Sequence, residues 1–282
     1  MWTVPVPADP AGPFYLSCIK GVRDKDLRDR FGQAAHSVMN ADIRYRAAGA
    51  DGGFCELRQT DFDLPDVTAR EMTWLYETRM AGRKAPADRP GSPCRRVYDA
   101  IRTASPHGRC PLCGHRDVTT VDHYLPKSAY TALAVNPANL IPACSECNRM
   151  KSARVGDTLH PYYDNVEGER WLSAWVLEDS PPAVQFAVAP PEFWAPGPAD
   201  RVCRHFAALD LGLLYSMQAA RLLSGIQARL DGLARDGGSD AVRDHLRQDE
   251  ESWLQAGLNS WQAACYGALA ASDWFCTGGF SY

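Results

Sequence analysis

Four cysteines in two Cys-x-x-Cys pairs, Cys110/Cys113 and Cys144/Cys147, bracket an Asp-His dipeptide at Asp122–His123 and two asparagines, Asn139 and Asn148. Each pair offers two thiolates to one ion, which matches a closed, tetrahedral four-cysteine zinc site with no open coordination position for chemistry. The chemistry would lie between and just after the pairs. A carboxylate from Asp122 and the amide oxygen of Asn148 suit one hard divalent cation, Mg2+ or Mn2+, with waters completing its shell. The imidazole of His123, with an ordinary pKa of about 6.5, suits removal of a proton from water near neutral pH. Hydrolysis of a phosphodiester needs these services: a base for water, stabilisation of charge on phosphorus oxygens, and a cation near the leaving oxygen. Lys127, Arg149 and Lys151 are near enough in sequence to add phosphate contacts, although lysine and arginine after a zinc turn are as often plain helix surface. His160, in His-Pro-Tyr-Tyr-Asp, either folds back towards the metal or phosphate as an accessory group or closes the module as a structural turn.

Three elements must position these groups. The β-branched run Val118–Val121 predicts a strand that delivers Asp122 and His123 at its end. Leu140–Pro142 predicts a second short strand, and Cys144 to about Arg154 a helix packed across both. The order is ββα, with zinc bringing residue 110 beside residue 147.

On these residues the segment 105–165 resembles the HNH family of the ββα-metal, or His-Me finger, nucleases. Asp122 and His123 of VDHYLPKS match that family's first strand, Asn139 of NPANL its loop asparagine, and Asn148 of CSECNRMK its helix position, where Asn is an accepted variant. The resemblance implies His123 as general base, Asp122 and Asn148 as ligands of a catalytic Mg2+ or Mn2+, and Asn139 orienting the histidine loop by hydrogen bonds. The four cysteines occur where a zinc-stapled subclass has them. The wider wording DHYLPKS, NLIPACSECN and HPYYD is similar to HNH proteins of bacterial anti-phage defence, including the nuclease partners of ATPases in Septu-type systems.

The rest of the chain sets the context. Net charge is −4, but Arg79–Arg154 holds thirteen Lys or Arg against five Asp or Glu, a formal +8, which leaves −12 elsewhere. Such segregation suits a local phosphate-binding face, to which Arg83, Lys84, Arg89, Arg95 and Arg96 would contribute; the alternative is that these five simply lie on solvated loop and helix faces. Acidic flanks and the lack of an evident base-reading helix point to targeting by a partner protein, which the resemblance makes an ATPase, by an oligomer or by an RNA-bearing complex. With no apolar run long enough to span a bilayer and no signal peptide, the expectation is a cytoplasmic protein off the membrane. The six remaining cysteines, Cys18, Cys55, Cys94, Cys203, Cys265 and Cys276, lack ligand spacing and read as buried apolar residues.

The expected fold is α+β: a small zinc-stapled ββα-metal module within mainly helical N- and C-terminal regions. The boundaries are 1–104 for the helical N-terminal region, 105–165 for the module, and 166–282 for a hairpin, a Pro-rich connector and a helical C-terminal region. In the first region Thr68–Arg79 predicts a helix with a Thr68/Glu71 capping box and an apolar face of Met72, Leu75, Tyr76 and Met80; a short helix follows at Arg95–Thr103. In the last, Arg170–Val188 predicts the hairpin. Two helical stripes follow, Leu222, Leu223, Ile226, Leu230 and Leu233, then Leu254, Leu258, Trp261 and Cys265, separated near residue 237. The function expected is metal-dependent DNA endonuclease. A catalytically silent zinc scaffold that binds a partner, or an RNA-cleaving nuclease, is the alternative.

Overall fold

The computed structural model describes residues 3–82 and 92–281. It divides into two compact units, one ending at Asn165 and one beginning at Val166.

The first unit begins with three helices, α1 (Ala11–Ile19), α2 (Lys25–Gln33) and α3 (Ala35–Asp51). Tyr15, Phe31 and Tyr45 are fully buried between them, and Tyr15 donates from its hydroxyl to the Phe31 carbonyl at 2.9 Å. Helix α4 (Ala69–Tyr76) starts at the expected capping box, Thr68 Oγ1 accepting the Glu71 amide at 3.2 Å and Glu71 accepting the Thr68 amide at 2.8 Å. Glu71 also pairs with Arg30 at 2.6 Å, which ties α4 to α2. Met72, Leu75, Tyr76 and Met80 are buried, as their spacing requires. The last of them sits in a wider π-helical turn, Glu77–Ala81, that continues the helix.

Helix α5 (Pro93–Thr103) opens with Ser92 as N-cap and Pro93 in its first turn, and buries Cys94, Tyr98 and Ile101. Arg95 does not face solvent as a phosphate-binding group. It pairs with Asp99 at 2.9 Å, donates to the Met80, Ala81 and Gly82 carbonyls and lies over the Tyr98 ring. Arg83, Lys84 and Arg89 lie outside the described residues.

Strand β1 (Thr120–His123) pairs antiparallel with β2 (Leu140–Ala143), and α6 (Ser145–Lys151) follows directly. The register, Thr120↔Ala143 to His123↔Leu140, makes Asp122 and His123 the last two residues of β1, with the strand starting at Thr120 rather than Val118. The β-branched run before it is occupied otherwise: Val118 N donates to the Gly108 carbonyl and Thr119 N to that of Ala143. Helix α6 is shorter than expected, because Ser152 turns to φ 50° and its amide closes the last turn on Asn148.

In the second unit β3 (Leu172–Leu177) and β4 (Ala183–Val188) form an antiparallel hairpin packed on α8 (Leu211–Ala256) and α9 (Trp261–Ala271), with α7 (Pro196–Ala208) preceding. Helix α8 breaks at Gly238, whose φ of 69° and ψ of −161° are open to glycine. Of the first expected stripe, Leu223 and Leu230 are buried and Leu222, Ile226 and Leu233 half-buried. The second stripe is not continuous: Gly257–Ser260 separate the helices and Leu258 is exposed. That break lets Asn259 accept the Trp171 and Leu172 amides and fix the hairpin. Cys55 and Cys203 are exposed, against expectation, while the other four unpatterned cysteines are buried. Among the described residues no helix is long and apolar enough to cross a membrane.

Candidate metal and catalytic site

The four sulfur atoms of Cys110, Cys113, Cys144 and Cys147 lie within 4.8 Å of one another, all buried. Tetrahedral zinc with bonds of about 2.3 Å spaces its sulfurs by about 3.8 Å, so a small adjustment seats the ion. The first turn is closed by Cys110 N donating to the Arg116 carbonyl at 2.7 Å and Gly114 N to the Cys110 carbonyl at 2.8 Å, with Gly114 at φ 61°. Backbone amides also reach sulfur: Arg116 N to Cys113 Sγ at 3.4 Å and Cys147 N to Cys144 Sγ at 3.3 Å. Such bonds favour thiolate, and the neighbouring thiols of Cys110, Cys144 and Cys147 hold Cys113 far below the usual range. The cluster fits structural zinc.

His123 projects from β1 into the module, with its ring 4.4 Å from that of Tyr76 and nearly edge-on to it. Its Nε2 is 2.8 Å from the Ala134 carbonyl oxygen. A carbonyl only accepts, so Nε2 carries the proton and Nδ1 keeps a free lone pair. Burial pushes the pKa down to about 3, against the pull of that carbonyl, with the charges of Lys127 and Lys151 adding to the fall. The ring is therefore neutral at pH 7 but a weaker base than the ordinary histidine expected from the sequence.

Asn139 supports the loop that supplies this acceptor. Its Oδ1 accepts Leu125 N at 2.8 Å, while Nδ2 donates to the carbonyls of Leu125 at 2.9 Å and Leu133 at 3.3 Å. A fully buried side chain thus pins both ends of the connection from β1 to Ala134.

Asp122 is buried, and burial raises its pKa while Lys151 opposes the rise. Oδ1 accepts the His123 amide at 2.7 Å. Oδ2 is paired with the Lys151 ammonium, whose Nζ stands 3.1 Å away. The Asp122 carboxylate and the Asn148 amide offer hard oxygen donors, which suit a hard cation. Asn148 is half-buried on α6, one turn before Lys151 and so on the same helix face.

The other expected site residues fall differently. Lys151 is buried, donating to the His123 carbonyl at 2.7 Å, so it is not a phosphate contact. Arg149 is exposed beside Glu146 at 3.1 Å. Lys127 is half-buried with its ammonium 5.6 Å from the Tyr76 ring centre, on the His123 side of the module. His160 is fully buried, not accessory to the metal. Its Nδ1 accepts Tyr162 N at 3.1 Å and its Nε2 meets Tyr45 Oη at 2.8 Å. Phe54 stacks on it at 5.0 Å, and Tyr124, Tyr162 and Tyr163 complete an aromatic cage. The turn from His160 to Asp164 closes the module, as Tyr162 Oη donates to the Leu140 carbonyl at 2.6 Å. Two participants had no sequence signal: the Ala134 carbonyl is backbone, and Tyr76 reads only as part of an apolar helix face.

A buried four-cysteine cluster, an Asp-His pair on a short strand and an asparagine-pinned loop thus occupy one stretch of chain. Residues 110–154 match the HNH endonuclease family model. The whole chain is also similar to protein ea31 of Escherichia phage lambda, 24% identical over 303 residues that take in 99% of this chain and 100% of that protein. No solved structure matches it. The HNH segment begins at the first zinc-pair cysteine and ends three residues after α6, so it contains the cysteine cluster, Asp122, His123, Asn139 and Asn148, while His160 lies beyond it.

Proposed function

We propose that the chain is a metal-dependent HNH endonuclease that hydrolyses phosphodiester bonds in DNA, with β1, β2 and α6 as its ββα-metal module. The observation that carries this reading is the 2.8 Å contact of His123 Nε2 with the Ala134 carbonyl, which assigns the proton to Nε2 and the lone pair to Nδ1. In the proposed reaction Nδ1 takes the proton of an attacking water as its oxygen bonds to phosphorus. One P–O ester bond breaks, and the leaving oxygen is protonated from solvent. Asn139 keeps the acceptor carbonyl in place through its loop, and Tyr76 limits the rotation of the ring. Asp122 and Asn148 are the residues to hold a divalent cation, Mg2+ or Mn2+, and the hard oxygen donors of both side chains support them in that role. Such a cation, when bound, supplies charge stabilisation for the phosphate and the leaving oxygen. Lys127 and Arg149 remain the candidate phosphate contacts.

The −12 carried outside Arg79–Arg154 supports delivery to DNA by a partner protein, an oligomer or an RNA-bearing complex, as in a defence-system effector. Zinc-loaded protein incubated with supercoiled plasmid and, separately, with single-stranded RNA tests the reading. Cleavage of the plasmid that requires added Mg2+ or Mn2+ and stops with EDTA is expected. Cleavage of RNA alone would move the substrate assignment, and cutting that persists in EDTA would remove the metal from the mechanism.

A further inference from the structure

Lys151 is a charged residue placed where an apolar one would be expected. It closes α6 with its side chain 1% exposed. Taking an ammonium out of water is costly, and a methionine of similar length would avoid that cost. The contacts it makes in return are specific. Nζ donates to the His123 carbonyl at 2.7 Å, stands 3.1 Å from Asp122 Oδ2 and lies 5.8 Å from the Tyr124 ring centre.

These contacts join two elements with different tasks. Strand β1 carries Asp122 and His123, while α6 carries Asn148 one turn before Lys151. The Asp122 carboxylate is held from two directions, by the His123 amide on Oδ1 and by the ammonium beside Oδ2. The ammonium also fixes the backbone of the residue that bears the imidazole. Nothing in this position reaches outward to a phosphate.

Resting on the metal reading above, we propose that Lys151 is a positioning residue for the divalent-cation site. It ties β1 to α6 so that the Asp122 carboxylate and the Asn148 amide stand at a fixed separation before the ion arrives. Preorganised donors spare the ion the cost of assembling its own ligands. The opposite reading makes the ammonium a competitor that a divalent cation must overcome. The two differ in sign, since removing a competitor tightens metal binding and removing a tie weakens it.

Mn2+ binding to the zinc-loaded full chain, read from the free-ion electron paramagnetic resonance signal, separates them. The unaltered protein is expected to bind one Mn2+, and Asp122→Ala to lose it. Lys151→Met, with four-cysteine zinc retained, is expected to bind at least tenfold more weakly. Should Lys151→Met lose its zinc, Lys151→Ala with n-propylammonium, which fits the space vacated, replaces it. Recovery of Mn2+ affinity with the amine supports the proposal, and its failure to recover overturns it. Unchanged or tighter Mn2+ binding in Lys151→Met overturns the positioning role while the metal reading stands. Absence of Mn2+ binding in the unaltered protein, or binding that survives Asp122→Ala, overturns both.

Discussion

His123 Nε2 and the carbonyl oxygen of Ala134, eleven residues apart in the chain, meet at 2.8 Å in the core of the HNH segment. The bond decides which ring nitrogen can act as a base. It predicts that 15N-labelled histidine at pH 7 shows His123 as the neutral Nε2–H tautomer, with Nδ1 in the unprotonated range. A protonated Nδ1 would leave the ring without a lone pair for water.

Asn139 is the side chain on which that geometry rests. Asn139→Ala removes three hydrogen bonds and strands the Leu125 amide and the Leu125 carbonyl in the core, while the Leu133 carbonyl keeps the Asn136 amide. Unsatisfied buried groups at about 1–3 kcal/mol each make a loss of about 2–4 kcal/mol the expectation after partial relaxation. Chemical denaturation measures it. A loss below about 0.5 kcal/mol, the range of ordinary surface substitutions, would mean that the loop holds without the asparagine.

His123 and His160, both buried, make the fold acid-sensitive. Burial lowers His160 well below its ordinary value and His123 to about 3. Above an unfolded pKa of about 6.5 both are neutral in either state, and their contribution to stability is complete. As pH falls below that value the unfolded chain takes up protons that the folded chain refuses, so stability drops, for His123 until pH approaches about 3. The slope is about 1.4 kcal/mol per pH unit for each histidine. Urea midpoints between pH 6.5 and 5 should fall accordingly, and His160→Gln should show a slope smaller by about one proton. An unchanged slope in that variant would assign the sensitivity elsewhere.

Lys127 and Arg149 differ from Lys151 in exposure, and the difference predicts salt dependence. Binding of a DNA duplex, measured against salt concentration with EDTA present, should lose about one unit of slope in Lys127→Ala and in Arg149→Ala. Equal slopes in all three proteins would show that neither side chain contacts a phosphate.

What the sequence discloses here is local. Cys-x-x-Cys spacing is itself a turn geometry, so four cysteines suffice to predict one cluster. The Thr68/Glu71 capping box is likewise contained in four consecutive residues. The fate of Lys151 and His160 depends on partners far along the chain. Lys151 is spaced like helix surface, and only the pairing of β1 with β2 turns it onto Asp122. His160 is enclosed by Tyr45 and Phe54, more than a hundred residues earlier, which no periodicity connects to it. The second helical stripe misleads for a related reason: Leu254, Leu258 and Trp261 keep helical spacing across Gly257–Ser260, yet Asn259 is needed at the hairpin and the helix stops.

The measurement closest to the central claim compares plasmid cleavage by the unaltered protein and by His123→Ala, at equal zinc content and with Mn2+ present. Removing a general base costs about 10^2- to 10^4-fold in rate. A fall of that size, with zinc and fold retained, is the predicted result. Cleavage by His123→Ala at the unaltered rate would contradict the assignment of the base and with it the proposed mechanism.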